Sequence, residues 1–207
     1  LLRIPRVRIL ILTISGSCLF MRLSPLSQLK LFVFEWVSIL KGIETKEESA
    51  MGFALSEMRL KSPAFENRGA IPQKHTGEGE DISPALEWMN APEETRSFAI
   101  ICHDPDAPLV TPGTYGFVHW VLYNIPASTA VLAEGSQGYT NGVNDFGNLG
   151  YNGPMPPPGH GVHHYFWWLL ALNEDLNLEA GLSQWQLLER IEPHIIGMNR
   201  IVGTYQR

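Results

Sequence analysis

The chain has 207 residues, 44% hydrophobic and 17% charged, with a formal net charge of −6. That balance suits a folded domain with a sizeable core and excludes disorder over most of the length. Residues 1–50 hold 7 Lys and Arg against 4 Asp and Glu, so the remainder carries −9; an acidic body without a basic cluster excludes a nucleic-acid surface, whose affinity rests on neutralising phosphates.

In chain order, Arg3, Arg6 and Arg8 precede a short apolar run at 9–14, and Gly16, Ser17 and Cys18 follow. This is the order of a signal peptide. The run is broken by Thr13, Ser15 and Ser17 and is too short for a membrane span; a second apolar patch at 29–40 contains Lys30, Glu35 and Trp36 and reads as amphipathic. No integral membrane span is expected. Two readings remain: an export or attachment segment, or an upstream stretch translated in frame ahead of a natural start at Met51. The second is favoured, which places a non-domain extension at 1–50 and one domain at 51–207. A start at Met51 implies a cytoplasmic protein, and a working signal in residues 1–20 an exported one. Cys18 and Cys102 fall in segments of different character, so neither a disulfide framework nor a Cys-based zinc site is expected.

Beyond Met51, Pro and Gly punctuate the sequence densely and the periodic segments between them are short, which predicts a mainly β fold. The stretches 97–103 (SFAIICH), 117–125 (FVHWVLYNI) and 165–172 (YFWWLLAL) are apolar at nearly every position and rich in aromatic and branched residues. They predict strands buried on both faces and hence two packed sheets, since a sheet with one wet face shows polar alternation. Ser183 is placed to cap a peripheral helix with apolar positions Leu187, Leu188, Ile191 and Ile195, which Pro193 kinks or restarts. The segment 200–205 (RIVGTY) predicts a last short strand, with Gly203 at a bend or close approach.

Polar residues interrupt these strands in a pattern that needs explaining. His119 lies mid-strand, where an unpaired imidazole costs about 1–3 kcal/mol. His160, His163 and His164 crowd the entry of another strand. The expected partners of His119 are Asp104 and Asp106 of HDPDAP, a turn stiffened by Pro105 and Pro108. An ordinary Asp-Pro turn, with carboxylates accepting local backbone N–H groups, is the plain alternative. The stretch from Gly153 and Pro154 through Gly159 and Gly161 to His163 predicts a strand-entry loop with a stiff Pro wall, whose glycines let the backbone approach a ligand. Together Asp104, Asp106, Pro108, His119, Gly153, Pro154, His163, His164 and Tyr165 are the expected lining of one polar pocket for an anionic ligand.

At these residues the sequence resembles the phosphatidylethanolamine-binding protein family, in its bacterial, Raf kinase inhibitor-like branch. The blocks SPALEW (83–88), HDPDAP (103–108), HWVLYNIP (119–126), GPMPPPGHGVHHY (153–165) and the terminal VGTYQR run in order over residues 53–207. The resemblance implies a sandwich of two antiparallel sheets with short helices, and a pocket at one end for phosphate, acetate or phospholipid head-group analogues. The family's pocket positions fall on Asp104, Asp106, His119, Gly153, His163 and Tyr165, with Pro108, Tyr115 and Tyr151 flanking. Where the family often has Arg, this chain has His164, which implies anion affinity that is weaker or pH-dependent. The acids are expected to orient histidines or meet an ammonium, and the histidines and backbone N–H groups to meet the anion, a division that suits a zwitterion such as phosphoethanolamine.

The leading reading is therefore a binding protein, an inhibitor or regulatory scaffold, without a cofactor, whose protein partner and homodimerisation the sequence leaves open. One alternative is a hydrolase in which Asp106 and His119 activate water. Another is a mononuclear metal site of Asp104 or Asp106 with His119 and His163.

Overall fold

A computed structural model describes residues 56–108 and 115–207. The expectations for residues 1–50, including export and the domain boundary, lie outside the described residues. Eight strands form two antiparallel sheets. The smaller has order β1 (Arg59–Lys61), β2 (Leu86–Met89), β5 (Val131–Leu132). The larger has order β6 (Thr140–Asn141), β4 (Phe117–Pro126), β3 (Ser97–Asp104), β7 (His163–Leu172), β8 (Ile195–Tyr205). Among the described residues no helix is long and apolar enough to cross a membrane.

The three apolar stretches become β3, β4 and β7, the centre of the larger sheet, as mainly β patterning required. Side chains alternate across a strand, so each central strand feeds two cores. On the inner face Phe98, Ile100, Cys102, Trp120, Leu122, Tyr165, Trp167 and Leu169 pack against Leu60, Leu86 and Trp88 of the smaller sheet. On the outer face Ala99, Ile101, Val121, Tyr123, Leu170 and Leu172 pack against α1 (Gln184–Ile191) through Leu187 and Ile191, both fully buried. The helix is thus what removes polar alternation from these strands, because it dries the face that the second sheet does not reach.

Ser183 caps α1 in a reciprocal capping box with Gln186. The helix stops at Ile191, and Pro193 sits in a single 3₁₀ turn, Glu192–His194. Ile195, expected as a helical apolar position, instead opens β8, which runs eleven residues where a short strand from Arg200 was expected. Gly203 is a close approach: a Cβ there would lie 2.6 Å from Ile71 Cγ1.

The larger sheet places the site. The C-terminal end of β3 carries Asp104, the N-terminal third of β4 carries His119, and the N-terminal end of β7 carries His163 and Tyr165. Antiparallel pairing in the order β4-β3-β7 brings these three ends to one rim.

Candidate functional site

At that rim lies a cavity of about 200 Å³. Its polar lining is Asp104, His119, His163 and Tyr165; its walls are Ala107, Pro108, Phe117, Phe146, Met155, Pro156 and Pro157. Among the described residues no Lys or Arg lines it.

Asp104, 2% exposed, ends β3 and serves two roles that the sequence posed as alternatives. One carboxylate oxygen accepts the backbone N–H groups of Asp106 (2.9 Å) and Ala107 (3.1 Å), shaping the Asp-Pro turn. The other accepts from His163 Nδ1 at 2.7 Å. His163 Nε2 in turn lies 2.8 Å from His160 Nδ1, so a chain Asp104, His163, His160 runs from the buried floor to an exposed loop. The fixed carboxylate orients the His163 ring, and one shared proton joins the two imidazoles.

His119 departs from expectation. Its Nδ1 donates to the carbonyl oxygen of Asn152 (2.8 Å), not to Asp104 or Asp106. Phe117, Phe146 and Tyr165 surround the ring with centroids 5.1–5.6 Å away. This burial pulls its pKa below the ordinary value, with the Asn152 carbonyl acting in the opposite direction. At neutral pH the ring is therefore neutral with its proton on Nδ1, which leaves Nε2 as an acceptor. The expected protonated, anion-meeting imidazole is corrected by the low dielectric around it.

Tyr165, fully buried beside Asp104, has a hydroxyl without a hydrogen-bond partner of regular geometry among the described residues. Burial, then the Asp104 charge, pushes its pKa far above the usual phenol value. The phenol keeps its proton and is a donor.

Asp106 and His164 do not line the cavity. The Asp106 carboxylate accepts from His164 Nδ1 and from the His164 backbone N–H, both at 2.8 Å, in a half-exposed pair. Burial alone would raise the Asp106 pKa, but the His164 contacts outweigh it and hold the carboxyl below its ordinary value. The reason is the start of β7. The strand begins at His163, two residues earlier than the apolar run, so His163 and His164 point to opposite faces. Tyr115 is 81% exposed and also leaves the cavity, with its carbonyl oxygen 2.8 Å from His103 Nε2. Tyr151 donates to the His75 carbonyl behind the wall.

Gly153 and Pro154 hold the wall from behind without lining the cavity. A Cβ on Gly153 would overlap the His75 carbonyl oxygen and come within 2.7 Å of Thr76 Cα, so the close approach is to the protein's own 3₁₀ turn, Gln73–His75. Met155, Pro156 and Pro157 supply the wall expected of the Pro-rich stretch.

Two positioning residues, Asp81 and Asn144, escaped sequence reading. Asp81 accepts from Gly153 N–H (2.6 Å) and Asn152 Nδ2 (2.8 Å), fixing the loop whose carbonyl holds His119. Asn144 ties Gly150 and Asn152 while accepting from Phe146 and Asn148 N–H, which sets Phe146 over the cavity. The density of Asn and Gly at 141–153 hinted at Asn144, and nothing local marked Asp81.

Cys102 is fully buried and its thiol is pushed well up by that burial. Its neighbour His103 is part-exposed across a β-bulge, so no Cys–His pair forms. Asp106 and His119 serve different partners and do not form the water-activating pair of the alternative hydrolase reading. Among the described residues no three His, Cys, Asp or Glu side chains converge as metal ligands.

A two-sheet sandwich with one small, mostly apolar cavity at a strand-end rim, floored by an Asp–His pair, defines a class of small-ligand pockets rather than a groove or a flat interface. The model of the phosphatidylethanolamine-binding protein family matches residues 61–206, and the chain belongs to that family. A UPF0098 protein of Methanothermobacter thermautotrophicus is 44% identical over 157 residues, 72% of this chain and 99% of that one. A crystal structure of a putative phosphatidylethanolamine-binding protein homologue from Chlamydia trachomatis is 36% identical, with TM-score 0.68 over 72% of this chain and 97% of that one. Escherichia coli YbcL, described as a new member of the mammalian family, is 29% identical with TM-score 0.66, covering 73% of this chain and 99% of that one.

Proposed function

We propose that the cavity binds a small amphiphilic molecule whose head group both accepts and donates protons, such as a phosphate ester bearing an ammonium group. The observation that carries this reading is the pairing of a protonated phenol, Tyr165, with two acceptors, Asp104 and neutral His119, inside apolar walls. A bare dianion would meet the Asp104 carboxylate with no Lys or Arg among the described residues lining the cavity to offset it, which is unfavourable in a poorly screened site. A zwitterion divides itself: its ammonium faces Asp104 and His119 Nε2, and its oxyanion faces the Tyr165 hydroxyl, while His163 holds the Asp104 carboxylate in place. Phe117, Phe146 and Met155 then cover the rest of the ligand. Family membership supports a phospholipid head group as the source of such a zwitterion.

The test is a thermal-shift titration with O-phosphoethanolamine and, separately, inorganic phosphate, at pH 6 and pH 8. The zwitterion should raise the midpoint more than phosphate does, and phosphate should act better at pH 6, where it carries less charge. A larger shift with phosphate at pH 8, or equal shifts in a His119→Ala, His163→Ala double variant, would refute the reading.

A further inference from the structure

A second depression, of about 500 Å³, lies on the outer face of the larger sheet beyond the reach of α1. Arg68, Arg200, Asn67, His164 and Phe166 meet there. Residues 51–207 carry −9, so basic side chains that converge without acidic partners need a reason. Of the six described arginines, Arg190 and Arg207 are in ion pairs; Arg59, Arg68, Arg96 and Arg200 form none with the described residues, and two of these four share this depression.

Both arginines are held in place. Arg200 pairs opposite Trp168 on β8, and its guanidinium lies over Trp168 (4.8 Å to the centroid) and Phe166 (5.5 Å). Stacking uses the flat face of a guanidinium and leaves its in-plane N–H groups free, the arrangement that suits a tetrahedral oxyanion. Arg68 sits on a turn clamped to the same strand. Asn67 Oδ1 accepts from Val202 N–H (3.0 Å), and Arg68 N–H donates to the Val202 carbonyl (2.5 Å). The clamp fixes the Arg68 backbone along β8, two residues from Arg200, and the two side chains line the same depression. Asn67 keeps its amide N–H groups free among the described residues, and His164, fixed through Nδ1 by Asp106, closes one side of the depression.

We propose that this depression is a second binding site, for a phosphate-type oxyanion, with Arg68 and Arg200 as its paired donors. It is separate from the cavity, because β7 sends His163 inward and His164 outward. Neither Asp104, His119 nor Tyr165 reaches it.

The experiment is an NMR titration of the full chain with inorganic phosphate at low ionic strength and pH 7, reading arginine Nε–Hε and tryptophan indole resonances. Arg200 and Trp168 should shift saturably. Arg68→Ala and Arg200→Ala should each weaken binding about tenfold, the typical worth of one charge-assisted hydrogen bond. Arg200→Lys should lose most of that affinity despite keeping the charge, because lysine lacks the planar fork. Linear, non-saturating shifts, equal losses in Arg59→Ala, or full binding by Arg200→Lys would each reduce the site to an adventitious ion only and overturn the proposal. Resonances of His119 and Tyr165 report the cavity independently, so failure of one site is distinguishable from failure of the other.

Discussion

Replacing Asp104 with Asn tests the organisation of the cavity floor. The substitution keeps the size of the side chain and keeps Oδ1 as acceptor for the Asp106 and Ala107 amides. It removes the negative charge and sets an NH₂ group against His163 Nδ1 at the 2.7 Å contact. Both side chains are 3% exposed, so solvent does not rescue the broken pair. A hydrogen bond to a charged group is worth about 1.5–3 kcal/mol. The retained Oδ1 contacts leave the turn intact, so Asp104→Asn should lose roughly 2 kcal/mol. For a domain of this size that is a fall in Tm of roughly 4–8 °C. Urea denaturation at pH 7, followed by tryptophan fluorescence, would measure it, with a cycle through His163→Ala and the double variant. The coupling energy should be about 2 kcal/mol. A loss below about 0.5 kcal/mol, or additive single effects, would show that the pair does not organise the site.

Two further outcomes follow from the same geometry. His119 has a folded pKa below its unfolded value, so the unfolded chain takes up a proton that the folded state refuses. Its contribution is fully present above the unfolded value near 6.5 and is lost as pH falls from there toward the lower folded value. Urea midpoints at pH 8, 6.5 and 5 should therefore decline in the parent and decline less in His119→Gln; identical slopes would show that His119 is not held neutral. Gly153→Ala should cost about 1–3 kcal/mol, because the new methyl overlaps the His75 carbonyl and must push the wall aside. Unchanged thermal stability would mean that the loop and the 3₁₀ turn are not in contact.

Read by itself, the sequence determined the three central strands, the mainly β sandwich and the four polar residues of the cavity lining. Local composition carries that information: apolar runs at 97–103, 117–125 and 165–172 cannot be solvated, and Asp104, His119, His163 and Tyr165 sit at their ends or within them. Tertiary structure decided which of those polar groups meet. The start of β7 at His163 rather than Tyr165 sends adjacent histidines to opposite faces, because strand side chains alternate and each strand's register fixes the face. That single fact gives Asp104 to His163 and Asp106 to His164, and separates a cavity from an outer depression. The partner of His119 is a backbone carbonyl thirty-three residues away, held by Asp81 from another loop. No side-chain pattern encodes a carbonyl's direction. Its neutrality likewise depends on aromatic rings from β4, β7 and the Phe146 loop closing around it, and burial of that kind exists only once the strands have paired.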